Sequence, residues 1–491
     1  MASANRTQIL SVKETTLGTT PSAPRMRTRT ATGESLALGP MFVETEEMRS
    51  DAMVNDPIRV GQQNGGGLNY EFNYPYPNSP GSTDIESALH NAWTDTNSRD
   101  NDGTADSVIT DVATTNTVLT VTTGTAFAVG QLVRWTGFGV ATNLGVFAVT
   151  TGSATVPRFV GSGITNETAP PAAARVKVVG FIGASGDITA TATGLGSTTL
   201  DFTTLGLTVG QWVKIGGTGS GNRYATEALN SFARITAIAV GALTMDNLPT
   251  GWTTDSGTGK TIKVWVSDYN KNGTTQIGQT IERGFLGQTV PTYVIHTGML
   301  VSSYQMSIAA RDKVKLTLNY SGMSGSQSTT ALDASPDASL AFATYPVFAG
   351  SAHVGRIGEG GSTISSPNWV QSLTFTLSTL ITPILSADSQ AAVGQTSHAR
   401  AVAGEMSAYF GDNSLITKFY AGTPTAFVAV LTRVPQAFVV DLPRVTYTGG
   451  GGINASARNQ DVMQTFQWMA SKDETVTNAM ITFSRFEYYE A

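Results

Sequence analysis

The sequence predicts an all-β fold built from two duplicated units, each with one short helix, and two small inserted β modules. The composition favours strands and turns, because it includes 52 glycines and only 13% charged residues, whereas the exposed faces of helices need Glu, Lys and Arg. Alternation of apolar and polar residues, clearest from Val314 to Tyr320, predicts half-buried strands. A stretch that begins at Val60 returns from Val393 with the same order of parts, which indicates a duplication.

Each copy of the repeat contains Val-Gly-Gln, a glycine (Gly67 or Gly404), a predicted strand, a polar turn and a predicted amphipathic helix. The match continues through three further segments of each copy, with low identity but similar spacing. These segments are 277–285, 293–308 and 314–322 in the first copy and 427–435, 438–453 and 462–470 in the second. We therefore interpret the chain as one unit doubled, with a polar linker at 321–336.

The two predicted helices begin after polar caps. Ser82 or Thr83 is the expected N-cap in the first copy, and Asp412 or Asn413 in the second. Apolar residues that follow at helical spacing predict that each helix covers one face of a sheet.

Residues 105 to 266 interrupt the first copy. Within them, Leu119 to Trp135 resembles Leu200 to Ile215, so we predict two tandem β modules of roughly 80 residues, each able to bury a small core. Trp135 and Trp212 lie in predicted strands and are expected in those cores. The predicted domains are 1–104 with 267–325 (first unit), 105–183 (module one), 184–266 (module two) and 326–491 (second unit).

Two polar segments are candidates for contacts with other proteins. Residues 1–30 have little apolar periodicity and carry Arg25, Arg27 and Arg29, so we expect a partner-bound or solvated arm, or else a disordered tail. The long loop from Arg49 to Gly67 carries charges of both signs, which suit contact with another copy of the same chain. A merely solvated loop is the alternative. Its charged residues are Arg49, Asp51, Asp56 and Arg59.

Charge and cysteine usage exclude several function classes. A net charge of −6 and a pI near 5.3 argue against a surface that grips nucleic-acid phosphates. The chain has no cysteine, which excludes disulfides, thiolate nucleophiles and Cys-ligated zinc. No apolar run reaches the roughly 18 residues of a membrane span, so membrane insertion is not expected.

The sequence offers no catalytic, cofactor-binding or metal-binding constellation. The four histidines are scattered, and scattered histidines are usually ordinary polar residues. The glycine-rich run from Gly216 to Gly221 lacks the Lys-Ser/Thr of a phosphate-binding loop and predicts a β-turn. We interpret Glu44, Glu46 and Glu47 as surface acids rather than as the catalytic carboxylate pair of a glycosidase. We expect no enzyme activity and no cofactor.

Short motifs recur in a fixed order along the chain: ETTLGTTP from Glu14, TGESL, EEMRSDAMVNDP, GGGLNYEF, IESALHNAW, IERGF, HTGMLVSSYQMSI, AVAGEMSAYFGDN and DLPRV, which ends at Val445. This order resembles the tail tube proteins, also called major tail proteins, of long-tailed bacteriophages. The resemblance covers about 1–104 and 267–491.

The resemblance implies a β-sandwich or barrel unit with one flanking helix, whose inner sheets join around a ring. Rings would stack into the tube through which DNA leaves the capsid without specific binding. Loops resembling Arg49 to Gly67 reach the neighbouring ring in that family, and modules such as those at 105–266 resemble outward-facing decorations. The implied partners are further copies of the chain and the tape measure, terminator and distal tail proteins. The implied location is the virion tail, after synthesis in the host cytoplasm.

Rings of the family contain six units. Because this chain holds two, we predict homotrimeric, pseudo-hexameric rings, with hexameric rings of whole chains as the alternative. Two other function classes stay open at this point. A virion or cell-surface adhesin would show clustered exposed aromatic residues in the modules, and a polysaccharide-degrading enzyme would need a carboxylate pair in a groove.

Overall fold

The computed structural model describes residues 6–51, 53–101, 108–113, 118–121, 124–160, 163–338, 345–364, 367–450, 453, 458 and 461–490. Within them the strands form two hydrogen-bonded sets. The tube set contains the strands on either side of the insertion, and the insertion set contains the strands from 98 to 266. The predicted all-β class is confirmed.

Unit one consists of strands and a helix from both sides of the insertion: β1 (Thr7–Lys13), β2 (Arg27–Thr28), β3 (Gly33–Glu34), β4 (Ala37–Val43), β5 (Ile58–Glu71), α1 (Pro80–Leu89), β20 (Asp268–Lys271), β21 (Gln279–Phe285), β22 (Thr292–Ala309), β23 (Lys315–Ser321) and β24 (Ser324–Ser328). Unit two consists of β25 (Val354–Glu359), β26 (Ser362–Thr363), β27 (Val370–Ile384), β28 (Gly394–Tyr409), α2 (Ser414–Ala421), β29 (Thr425–Arg433), β30 (Gln436–Gly450), β31 (Met463–Ala470) and β32 (Thr482–Phe486).

The insertion consists of β6 (Ser98–Asp100), β7 (Ile109–Ala113), β8 (Val118–Val121), β9 (Gln131–Thr136), β10 (Gly145–Thr151), β11 (Arg158–Val160), β12 (Glu167–Thr168), β13 (Arg175–Ile182), β14 (Thr189–Thr191), β15 (Gly194–Gly196), β16 (Trp212–Ile215), β17 (Phe232–Ala239), β18 (Ala242–Asp246) and β19 (Lys263–Val266).

Both units have the same strand order. Pairing runs β1-β21-β22-β23-β5-β4 in unit one and β25-β29-β30-β31-β28-β27 in unit two. A β-bulge also lies at an equivalent place in each, between Val301 and Ser303 in β22 and between Tyr447 and Gly449 in β30. A bulge inserts one extra residue at a defined position, so the shared bulge fixes how the units align.

The two units are joined edge to edge. The carboxy-terminal half of β22 pairs with β27, with Ser303 opposite Ser378. This junction produces one antiparallel run of eight strands, β4-β5-β23-β22-β27-β28-β31-β30, which we call the inner sheet. One of its faces packs into a single core that spans both units and includes Leu68, Tyr304 and Phe375.

The amino-terminal halves of β22 and β30 leave the inner sheet and join an outer layer over the core. On β29, Phe427 and Leu431 point into the core, whereas Val428 and Val430 point the other way and pack against Trp212 of the insertion. The alternation of side chains across a strand produces this layering. From one side to the other, the layers are the inner sheet, the core, the outer layer and the insertion.

The insertion is itself duplicated. Its halves run β7-β8-β11-β10-β9-β13 and β14-β15-β18-β17-β16-β19, and β13 pairs with β19 to join them. Gln131 and Gln211 occupy equivalent places, each accepting a 2.9 Å hydrogen bond from the backbone N–H three residues earlier. Trp135 is buried in the core of the insertion, as predicted, whereas Trp212 is buried against unit two rather than in a module core.

The structure differs from the sequence prediction at several strands. Residues 58–67 belong to β5 rather than to a loop, and β24 lies in the predicted linker. Both segments are rich in Gly, Ser, Asn and Gln, which leaves no apolar alternation to detect. The strand β6 at 98–100 pairs with β13 of the insertion, although we assigned it to unit one. The four domain boundaries themselves stay a prediction.

One glycine pairing also shifts by a residue. Leu68 pairs with Leu318 and Met406 with Phe466, so the counterpart of Gly404 is Gly66 rather than Gly67. A Cβ on Gly66 would lie 2.3 Å from the Ser35 carbonyl oxygen, and one on Gly404 would lie 2.2 Å from that of Thr374. Both copies therefore keep a glycine at the position where a neighbouring backbone carbonyl leaves no room for a side chain.

Candidate assembly surface

The outward face of the inner sheet is polar and nearly neutral. Its positions alternate with buried ones along each strand, and hydroxyls pair across strands, as between Thr374 and Ser307 at 3.1 Å. The charged residues on this face include Glu71, Lys315 and Glu405. The uncharged positions include Ser303, Gln305, Ser307, Thr317, Asn319, Thr374, Thr376, Ser378, Ser407, Thr465 and Gln467. Such a face hydrogen-bonds water without presenting a strong site for an anion.

The inner sheet ends in two unpaired strand edges. Within the described part of the chain, β4 pairs only with β5, so its other edge is open. Residues 446–450 of β30 pair only with β31, so their other edge is open as well. Seven strand spacings of about 4.8 Å place these two edges roughly 34 Å apart. Open edges of this kind are templates for pairing with another chain.

The open edge of β30 corresponds to an edge that is filled in unit one. The shared bulge makes Gly449 the counterpart of Ser303. The register of β27 with β28 is regular from Leu373 to Ser378, and that of β3 and β4 with β5 is regular from Glu34 to Gly39. These registers make Gly39 the counterpart of Ser378. Ser303 and Ser378 pair within the chain. Gly449 and Gly39 are the equivalent residues of the other two strands, and they lie on the two open edges.

Two equivalent hairpins, β4–β5 and β27–β28, carry exposed apolar side chains. Those of the first hairpin are Met41, Phe42, Val43, Met48, Met53, Val54, Ile58 and Val60, and those of the second are Leu380, Ile384, Leu385 and Val393. Exposed apolar patches usually mark interaction sites. Only the charges of the first hairpin were predicted to make contacts, and its exposed apolar residues were not, although both are present in the same loop sequence.

The four charged residues predicted for ring stacking all lie on the first hairpin. Arg49 donates to Asp51 with a closest contact of 2.7 Å, and Asp56 and Arg59 are exposed. The mixed charges are therefore partly matched within the hairpin itself.

The expected amino-terminal arm is instead an integral part of unit one. Its strand β1 pairs with β21, as β25 pairs with β29 in unit two. Arg29 is buried, with Nη1 2.9 Å from Asp84, so it is not available to a partner. Arg25 and Arg27 pair with Asp337. The arm was mispredicted because β1 buries three consecutive residues, Ile9, Leu10 and Ser11, and therefore shows no alternation of apolar and polar residues.

The electrostatics of Arg29 explain why it can be buried. Burial alone would lower the pKa of Arg29, but Asp84, Tyr320 and Tyr70 raise it well above its ordinary value. Removing a partner from such a buried pair leaves an uncompensated charge.

The insertion is fixed to unit two by buried polar contacts as well as apolar ones. Asp441 of β30 accepts hydrogen bonds from Trp212 Nε1 at 3.1 Å and from Arg234 Nη1 at 2.8 Å. Arg175 lies 2.7 Å from Glu487, which follows β32. The insertion therefore sits on the side of the molecule opposite the polar face of the inner sheet.

Comparison with protein families identifies the tube strands. The family model of the phage tail tube protein matches residues 240–470, from β18 to β31. This match supports a phage tail tube protein. This tail tube protein is thus a structural component of the phage tail. A comparison with curated protein sequences gave no match.

Two further observations concern the described residues only. They contain no group of three or more His, Cys, Asp and Glu side chains that could hold a metal ion. Neither α1 nor α2 is long and apolar enough to cross a membrane.

Proposed function

We propose that three chains of this tail tube protein close into a pseudo-hexameric ring, and that rings stack into the conduit for DNA. The observation that carries the proposal is the junction between units. Within one chain, β27 fills the edge of β22, while the equivalent edge of β30 and the outer edge of β4 stay open. If β4 of the next chain fills the edge of β30, every unit meets its neighbours in the same way.

The number three follows from the duplication. The family that the sequence resembles uses six units per ring, and each chain here supplies two units. Repeating the in-chain junction between chains continues the inner sheet and leaves no edge after closure, which removes the hazard of open edges. Rings of six whole chains would hold twelve units and are the alternative.

In this ring the polar face of the inner sheet lines the lumen and the insertion lies outside. This orientation is supported by the layer order, because the insertion covers the outer layer on the far side of the core. A lumen of hydroxyl and amide groups, in a chain of net charge −6, binds phosphates weakly. DNA can then slide through without being held.

The two hairpins are the proposed contacts between successive rings. The first hairpin carries Arg49, Asp51, Asp56 and Arg59 beside its apolar residues, and its connecting loop (44–57) is longer than that of the second (385–393). A threefold ring would therefore present the two kinds of hairpin in alternation, three of each. The tape measure protein in the lumen and the terminator and distal tail proteins at the tube ends are the further partners that we propose.

Electron microscopy and native mass spectrometry of the purified full chain test this function. We expect rings or tubes, and rings of three times the 51.4 kDa chain mass. Particles that remain single chains under all assembly conditions would contradict the proposal, and rings of six chains would favour the alternative.

A hairpin variant separates stacking from ring closure. Combined Met48→Ser, Met53→Ser and Val54→Ser substitutions should leave rings intact but shorten or abolish tubes, because they remove apolar area that is exposed in the single chain. Val240→Ser, at an exposed site on the insertion, is the matched control and should leave tube length unchanged. Equal tube lengths in both variants would remove the hairpin from the stacking contact.

A further inference from the structure

A cleft of about 360 Å³ lies where the second module meets unit two. Lys214 and Ser231 line it from the insertion, and Arg356, Thr363 and Thr432 line it from unit two. The cleft plays no part in the ring junction, the hairpins or the inner sheet, so its chemistry is separate from the proposed tube assembly.

Two buried cations face this cleft without a carboxylate partner. Lys214 and Arg356 are each 8% exposed. Lys214 Nζ donates only to the backbone carbonyls of residues 215 and 216, at 2.9 and 3.3 Å. The terminal nitrogens of Arg356 donate to the carbonyls of Asn247 and Gly361, at 2.9 and 2.7 Å. Its Nε is buried and has no hydrogen-bond partner among the described residues.

Neither Lys214 nor Arg356 is in an ion pair within the described residues, whereas Arg29, Arg234 and Arg485 each contact at least one carboxylate. Burial lowers the pKa of Lys214 to about 8, although Glu227 and Glu490 act in the opposite direction. Burial also lowers the pKa of Arg356, so both charges are held at a cost. Buried charges are normally paired, so two unpaired cations beside one solvent-open cleft point to an anion from outside the chain.

We propose that this cleft binds a small tetrahedral oxyanion of the phosphate or sulfate class, held by Lys214 and by the guanidinium of Arg356. Hydroxyls of Ser231, Thr363 and Thr432 line the same space and can donate to the remaining oxygens. Charge-assisted hydrogen bonds of this kind are the strong ones. Because Lys214 belongs to the insertion and Arg356 to unit two, the bound anion links the two parts of the protein.

Thermal unfolding of the full chain in sulfate, compared with chloride at equal ionic strength, tests the site. A ligand that binds the folded state raises Tm progressively with its concentration. We expect this sulfate-dependent rise in the natural chain, its loss in Lys214→Met and in Arg356→Met, and its recovery in Lys214→Arg. Isothermal titration with sulfate should show the same pattern of binding and loss.

The matched control is Lys260→Met, which removes a half-buried lysine of the same module that donates to the Ser220 carbonyl. This variant should keep the full sulfate-dependent rise. Sulfate also stabilises proteins in general by exclusion from their surface, and that effect is shared by all variants. An equal rise in Lys214→Met and in the natural chain, or no rise beyond that in chloride, would overturn the proposal.

Discussion

Units one and two share a strand order and a bulge position, yet they are supported in different ways. In unit one the edge of β22 is filled by β27, and an ion pair between Arg29 and Asp84 is buried beneath the helix. In unit two the equivalent edge of β30 is open, and the insertion covers the outer layer. The comparison shows that the two copies share a topology, while the differences between them decide which edges are paired within the chain and which stay open.

The largest expected effect concerns the ion pair that only unit one carries. Arg29→Met leaves Asp84 buried without its partner, so the free energy of unfolding should fall by about 3–5 kcal/mol. Arg433→Met in unit two removes a half-buried arginine that donates to the Val347 carbonyl, and should cost about 1 kcal/mol. Urea unfolding of both variants measures the difference, and equal losses would contradict this view of unit one.

A pH effect should mark the docking of the insertion on unit two. Burial would raise the pKa of Glu487, but Arg175 and Lys177 lower it from 4.5 to about 2. A carboxylate with a depressed folded-state pKa contributes stability that is complete above its unfolded pKa and is lost as pH falls through the folded value. Glu487 should therefore contribute up to about 3 kcal/mol at neutral pH, lost between about pH 5 and pH 2.

Measurement of Tm against pH checks this contribution. Glu487→Gln should lower Tm at pH 7 and flatten the decline between pH 5 and pH 2. Glu474→Gln alters an exposed residue and should follow the natural curve. A decline in Glu487→Gln as steep as that of the natural chain would place the acid sensitivity elsewhere.

The smallest expected effect distinguishes the two helix caps. The Ser79 side chain accepts a 3.1 Å hydrogen bond from the N–H of Ser82, whereas Asn413 makes no side-chain cap bond. Ser79→Ala should therefore lower the free energy of unfolding by about 1 kcal/mol, and Asn413→Ala by only about 0.3 kcal/mol. If the two substitutions cost the same in thermal unfolding, the cap of α1 contributes less than its geometry indicates.

Features with a clear local pattern could be predicted from the sequence. Alternation identified β23 and its counterpart β31 in correct register, and apolar spacing identified both helices. The N-cap of α1 is Ser79, three residues before the predicted Ser82 or Thr83, because the prolines before the helix hid its first turn. The burial of Trp135 and Trp212 was also predicted, because aromatic residues within alternating strands are usually core, but the packing of Trp212 against unit two was not.

Other features depend on pairing that no local pattern records. The strand β24 has the sequence SGSQS and is a strand only because β22 offers it an edge. Arg29 reads as a solvated residue until Asp84, 55 residues away, is placed beside it. The open edges of β4 and β30 follow from the order of strands in the sheet, which spacing along the chain does not reveal.

Cysteine cross-linking tests the central claim most directly, because the natural chain contains no cysteine. Gly39→Cys and Gly449→Cys together place one thiol on each open edge. They are too far apart to bond within one chain but should be adjacent across the proposed junction. A Cβ at Gly39 meets no atom within 4 Å, and one at Gly449 meets the end of the Gln467 side chain. Oxidation of assembled protein should produce covalent dimers and trimers and nothing larger. A ladder that reaches six chains, or no covalent product from assembled rings, would contradict the account.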